Sequence, residues 1–82
     1  MAMLVDRKDN VWIATRYGGV NKFDGKNFIL YNKAKGLSDD KIISMIEDKS
    51  DNIWIGTSGG GINKINDKGF SEKIPLENFG NS

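Results

Sequence analysis

Residues 51–65 read DNIWIGTSGGGINKI, and residues 9–23 have already said nearly the same thing: DNVWIATRYGGVNKF. Trp12 and Trp54 set the period at 42 residues. Over residues 6–28 against 48–70, 12 of 23 positions are identical, among them Asp6/Asp48, Asn10/Asn52, Ile13/Ile55, Thr15/Thr57, Asn21/Asn63 and Lys22/Lys64. Val11/Ile53, Val20/Ile62 and Ala14/Gly56 are conservative pairs. A doubling this dense makes the 82-residue chain two copies of one structural unit and little else.

Each copy breaks into short apolar or β-branched runs. The first has Met3–Val5, Val11–Thr15, Val20–Phe23 and Phe28–Tyr31; the second has Ile42–Glu47, Ile53–Thr57, Gly61–Ile65 and Phe70–Ile74. Turn signals separate them: DRKDN and DKSDN, RYGG and SGGG, DGKN and NDKG, and the longer link NKAKGLSDD. The run IISMIED is β-branched and mates by the repeat with MAMLVD, so it reads as a strand. Four short antiparallel strands per unit of this length is the content of a β-propeller blade. In VWIA and IWIG both pleat faces are apolar, as in a sheet covered on both sides rather than wetted on one. The expected fold is therefore all-β: one unit of two four-stranded blades, about 1–35 and 36–76, with a tail at 77–82.

The stretch GLSDDKIISMIEDKSDNIWIGTSGGGINKINDKGF resembles the two-component regulator propeller repeat. That pattern runs Gly-Leu, a polar cap, an apolar strand closing in Glu-Asp, Asp/Gly-Asn, an apolar residue with WIGT, and a Gly-rich turn. A closing strand and an aromatic end it. Gly36–Phe70 is the better copy; the first departs at Ala14 and at RYGG and lacks the Gly-Leu lead-in. The resemblance implies a role in signalling, in the sensor part of hybrid histidine kinases, often glycan-responsive and extracytoplasmic. The kinase machinery itself does not occur in these residues. Sensing or interaction is implied, not catalysis.

Bulk composition narrows the partners. With 12 basic and 11 acidic residues the net charge is +1, and the lysines are scattered, so nucleic acid and acidic membrane surfaces are not expected partners. Without cysteine there are no disulfide or thiolate metal sites, and without histidine the commonest general base and metal ligand is missing. The start MAMLVDRKDN has no signal-peptide run, and nothing approaches the roughly 18 apolar residues of a membrane span. The residue inventory points to no cofactor and no metal.

Two blades are too few to close a ring of about four to eight. A blade of ~5-residue strands measures roughly 17 by 19 Å, so each uncovered face is on the order of 300 Å². At ~25 cal/mol/Å² its burial supplies up to ~7 kcal/mol, comparable with the stability of a small domain. The two end faces differ, so the expected partner is the chain itself, head to tail, with a trimer or tetramer favoured, or further repeats of a longer chain. Edge pairing through FILY or FSEKI is another route to a dimer.

The tempting motifs weaken on inspection. SGGGINK lacks GK[ST] and is followed by an alternating strand rather than a helix, so Gly18, Gly19, Gly60 and Gly61 read as turn residues, not a phosphate cradle. DKSDN fails the calcium-loop pattern at Ser50, Ile53 and Gly59, and DRKDN fails at Lys8. Asp9-Asn10 and Asp51-Asn52 read as Asx-tied hairpin turns. Paired acids for hydrolysis would have to come from Glu47, Asp48, Asp39 and Asp40, with nothing to place two around a pocket. Trp12 and Trp54 stand mid-strand and are expected to pack between blades; Lys22 and Lys64 are expected on a solvated edge. Ligand contacts are expected from the turns Arg16–Gly19 and Ser58–Gly61 and the link Lys35–Lys41, above all from Arg16, Tyr17, Ser58, Lys35, Asp39 and Asp40. The expected function is ligand or protein recognition by a sensor propeller; a stand-alone, lectin-like carbohydrate-binding oligomer is the alternative.

Overall fold

The computed structural model describes residues 2–59 and 61–75; Gly60 and the expected tail at 77–82 lie outside the described residues. Two four-stranded antiparallel sheets follow one another along the chain, each a simple up-and-down meander. The first contains β1 (Ala2–Val5), β2 (Val11–Ala14), β3 (Val20–Phe23) and β4 (Phe28–Tyr31). The second contains β5 (Ile42–Glu47), β6 (Ile53–Thr57), β7 (Ile62–Ile65) and β8 (Ser71–Ile74). Among the described residues there is no α-helix, only a single 3-10 turn at Lys33–Lys35. These are propeller blades in strand number, order and connection.

Strand register sorts each sheet into two faces. Across sheet one, Leu4, Trp12, Lys22 and Ile29 form one cross-strand row; Met3, Ile13, Asn21 and Leu30 form the next, on the other face. Across sheet two the corresponding rows are Ile46, Trp54, Lys64, Glu72 and Met45, Ile55, Asn63, Lys73. The sheets bury opposite faces. Sheet one buries its Trp12 face, with Trp12, Ala14, Val20 and Tyr31; sheet two buries its Ile55 face, with Ile53, Ile55, Thr57, Asn63 and Ile65. The core lies between them, closed by Leu37 and Ile42 from the link and β5.

The link is tied rather than slack. Asn32 caps the 3-10 turn, its side chain accepting from the Lys35 N–H, and Gly36 ends the turn at φ 108°. Leu37 then drops into the core at 1% exposure. The next amide, Ser38 N–H, donates to Oδ1 of buried Asn63 at 3.0 Å. Both copies have an asparagine there, but only Asn63 receives the link. Tyr31 makes a second tie: it stacks on Trp12 with centroids 5.7 Å apart and donates its hydroxyl to the Gly69 carbonyl at 3.0 Å. Removing only that hydroxyl, in Tyr31→Phe, is expected to cost about 1 kcal/mol in a urea melt, because stacking survives and one half-buried carbonyl loses its donor.

The outer hairpins differ by one residue. Phe23 pairs with Phe28 in sheet one, whereas Ile65 pairs with Ser71 in sheet two. The identity Phe28/Phe70 is thus not a structural equivalence: Phe28 is the first residue of β4, and Phe70 is the last residue of the turn before β8.

Candidate functional site

The β2–β3 turn, the β6–β7 turn and the end of the link meet at one end of the two sheets. Backbone bonds hold them together: Gly19 N–H donates to the Asp40 carbonyl at 2.9 Å, and Ser58 N–H to the Lys41 carbonyl at 3.0 Å. This brings Arg16, Tyr17, Ser58, Asp39 and Asp40 to a single surface. Tyr17 is its most prominent group, 64% exposed. Its ring carries two cations, the Arg16 guanidinium at 5.4 Å and the Lys41 ammonium at 5.8 Å from the centroid.

The two aspartates here act as braces. Asp39 Oδ1 accepts from the Asp40 and Lys41 amides at 2.7 and 3.4 Å, and Oδ2 accepts from the Gly59 amide at 3.2 Å. The Lys41 amide, followed by those of Asp40 and Gly59, holds the Asp39 carboxyl below the usual carboxylate range against an opposing desolvation. Asp40 Oδ1 accepts from the Lys33 amide at 2.7 Å. Both carboxylates therefore stiffen the link across two blades and leave Arg16, Tyr17, Lys41 and Ser58 to face solvent. Lys41 closes the link segment 35–41 from which contacts are expected, and the fold of that link turns its ammonium onto Tyr17. Lys35 is directed elsewhere, to a groove of about 480 Å³ beside Lys22, Ile29, Lys68 and Phe70.

At the opposite end, the turns 6–10 and 48–52 have one design. Asp6 Oδ1 accepts from the Lys8 and Asn10 amides, and Oδ2 from Asn10 Nδ2 and Trp12 Nε1, all at 2.8–3.0 Å. Asp48 repeats every bond with Ser50, Asn52 and Trp54. The aspartate tying each turn is therefore the first residue, not the Asp9 or Asp51 expected from the sequence. Those two take the left-handed position, at φ 65° and 66°. Hydrogen bonds from Trp54, Asn52 and Ser50 hold the Asp48 carboxyl well below the usual carboxylate range. For Asp6, burial pushes upward, but the Trp12, Asn10 and Lys8 donors outweigh it and the net direction is also down. A general acid needs the reverse shift. Among the described residues no three acidic side chains are gathered to hold a metal ion.

Arg7 crosses from this end of sheet one to sheet two. Its guanidinium donates to Asp51 Oδ1 at 2.9 and 3.1 Å and to the Asp48 carbonyl, with Glu47 at 3.8 Å. One pair of residues differs from expectation. Lys22 and Lys64 are not edge residues: their register places them opposite the tryptophans, with ammonium groups 5.2 and 5.5 Å from the indole centroids. Trp12 is 2% exposed between the sheets, but Trp54 is only half-buried, because no described strand covers its face. There it lines a hollow of about 260 Å³ with Ser44, Ile46, Gly56 and Ile62.

Residues 36–59 match the family model described as two component regulator propeller. The matched segment runs from the Gly36-Leu37 lead-in through β5 and β6, which is the link and inner half of the second blade. No curated protein matches the chain in sequence.

Proposed function

We propose that the chain is a non-catalytic recognition segment of a sensory β-propeller, and that it binds acidic carbohydrate through the surface around Tyr17. The observation behind this reading is the exposed Tyr17 ring flanked by Arg16 and Lys41 at the end where both blades present their turns. An aromatic face offers a stacking platform to a sugar ring, and the two cations offer partners to a carboxylate or sulfate on it. Propeller geometry supports recognition there, because turns from successive blades converge while the sheets hold them rigid. The match of residues 36–59 to a regulator propeller supports a place in signal sensing.

Titration calorimetry against matched acidic and neutral oligosaccharides tests the proposal. Tyr17→Ala is expected to weaken binding about tenfold, since one stacking and cation–π platform is worth roughly 1–2 kcal/mol. The fold should persist, as judged by circular dichroism. Lys41→Glu should remove the preference for acidic over neutral sugars. Binding that is indifferent to both substitutions, or no binding to any oligosaccharide, would reject the assignment.

A further inference from the structure

Each blade has one covered and one bare face, and the two bare faces are the repeat equivalents of the two faces the chain already joins internally. Equivalent residues show it. Leu4 is half-buried while its counterpart Ile46 is 62% exposed; Met45 is half-buried while its counterpart Met3 is 70% exposed. Trp12, Ala14 and Val20 are buried, whereas Trp54, Gly56 and Ile62 are only partly so. Conversely Ile53, Ile55 and Thr57 are buried, whereas Val11 and Ile13 are half-buried and Thr15 exposed.

We infer that the Trp54 face of one chain docks onto the Ile13 face of a second copy, repeating between chains the junction that joins the two blades within one. The face of sheet two buried against sheet one presents Ile53, Ile55 and Thr57; the incoming copy presents Val11, Ile13 and Thr15 at the equivalent positions, two of the three identical. The receiving face has the hollow bounded by Trp54, Ile46 and Ile62, where Gly56 lacks the methyl that Ala14 carries at the equivalent position.

Charge carries across as well. Inside the chain Arg7 reaches Asp51; one repeat further on, Lys49 stands where Arg7 does and Asp9 of the second copy stands where Asp51 does. The tyrosine tie does not repeat, because Ile74 occupies the register position of Tyr31. The docking is heterologous, since the two faces differ, so it propagates until a ring closes.

The experiment is the solution mass of the 82-residue chain by sedimentation velocity, without ligand. The expected wild-type mass is three or four times 9.1 kDa. Met3→Glu and Ile46→Glu alter exposed side chains on opposite bare faces, so circular dichroism should show both variants folded, and each alone should sediment as a monomer. Mixed, they should form a heterodimer, because one intact Trp54 face and one intact Ile13 face remain. A monomeric wild type overturns the inference, including one that assembles only with repeats from a different chain. A dimer that survives both substitutions also overturns it and points to pairing of the outer strands. Since mass is read without ligand, this outcome is separate from that of the carbohydrate experiment.

Discussion

Gly19→Ala is expected to destabilise the fold by about 2–5 kcal/mol, while the same change at its repeat counterpart, Gly61→Ala, costs only about 1 kcal/mol. Both residues have positive φ, 79° and 96°, so the left-handed penalty of an L side chain is common to the two. Space is not. A methyl on Gly19 would stand 2.3 Å from the Tyr31 carbonyl oxygen and 3.0 Å from Asn32 Cβ, whereas at Gly61 nothing described lies within 4 Å. The obstruction at Gly19 is backbone, in the strand end that leads into the link, and cannot rotate away. Relief would require moving the β2–β3 turn from the link, and the Gly19–Asp40 hydrogen bond with it. Urea unfolding of both variants at one fixed chain concentration provides the comparison, since self-association would raise apparent stability by mass action. Equal losses at the two positions would show that backbone conformation, not close approach, dictates both glycines.

The contrast between these glycines illustrates how far the residue order could be read. Strand positions were legible because period-2 apolar runs and Gly/Asp/Asn turns alternate cleanly, and because each unit is written twice. What the doubling hid is that equivalent residues need not have equivalent surroundings. Gly19 and Gly61, Trp12 and Trp54, Asn21 and Asn63 match letter for letter, yet each pair divides between a covered and an uncovered environment. Repetition in sequence reports the shape of a blade; it does not report which face the neighbouring blade covers.

The outer hairpin shows a second limit. Aligning Phe28 with Phe70 was the natural reading, but the five-residue turn 66–70 follows the design of turns 6–10 and 48–52. Asn66 Oδ1 ties it by accepting from the Lys68 and Phe70 amides. One extra residue in that turn moves the aromatic out of the strand. For the candidate site, Arg16, Tyr17, Ser58 and Lys41 were reachable as turn and link residues, while the approach of Lys41 to Tyr17 and of Arg7 to Asp51 spans sequence separations that no local pattern records.

The same three turns yield the prediction with the clearest chemical signature. Asp6→Asn is expected to cost about 2 kcal/mol at neutral pH, whereas Asn66→Asp should be nearly neutral. Asn66 needs only one oxygen, for two backbone amides, and six residues on stands Glu72 rather than a tryptophan. Asp6 uses both oxygens, and the second accepts from Trp12 Nε1 at 2.8 Å and Asn10 Nδ2 at 3.0 Å. An asparagine amide there would direct its NH₂ at two donors, one of them the indole N–H of a 2%-exposed tryptophan. The size is held to about 2 kcal/mol because Asp6 itself keeps partial contact with solvent.

Acid should erase the difference. Asp6 and Asp48 both titrate below the ordinary value of 3.8, so their stabilisation is fully present above that pH and is lost as pH falls through the lower folded-state values. Wild type therefore loses this contribution in acid, while the Asp6→Asn variant has no Asp6 charge to lose. The gap in unfolding free energy between the two should be widest near about pH 7 and should narrow toward about pH 2. A gap that stays constant over this range would mean that the aspartate matters for shape alone, and that the ionised carboxylate is not what holds Trp12 and its turn together.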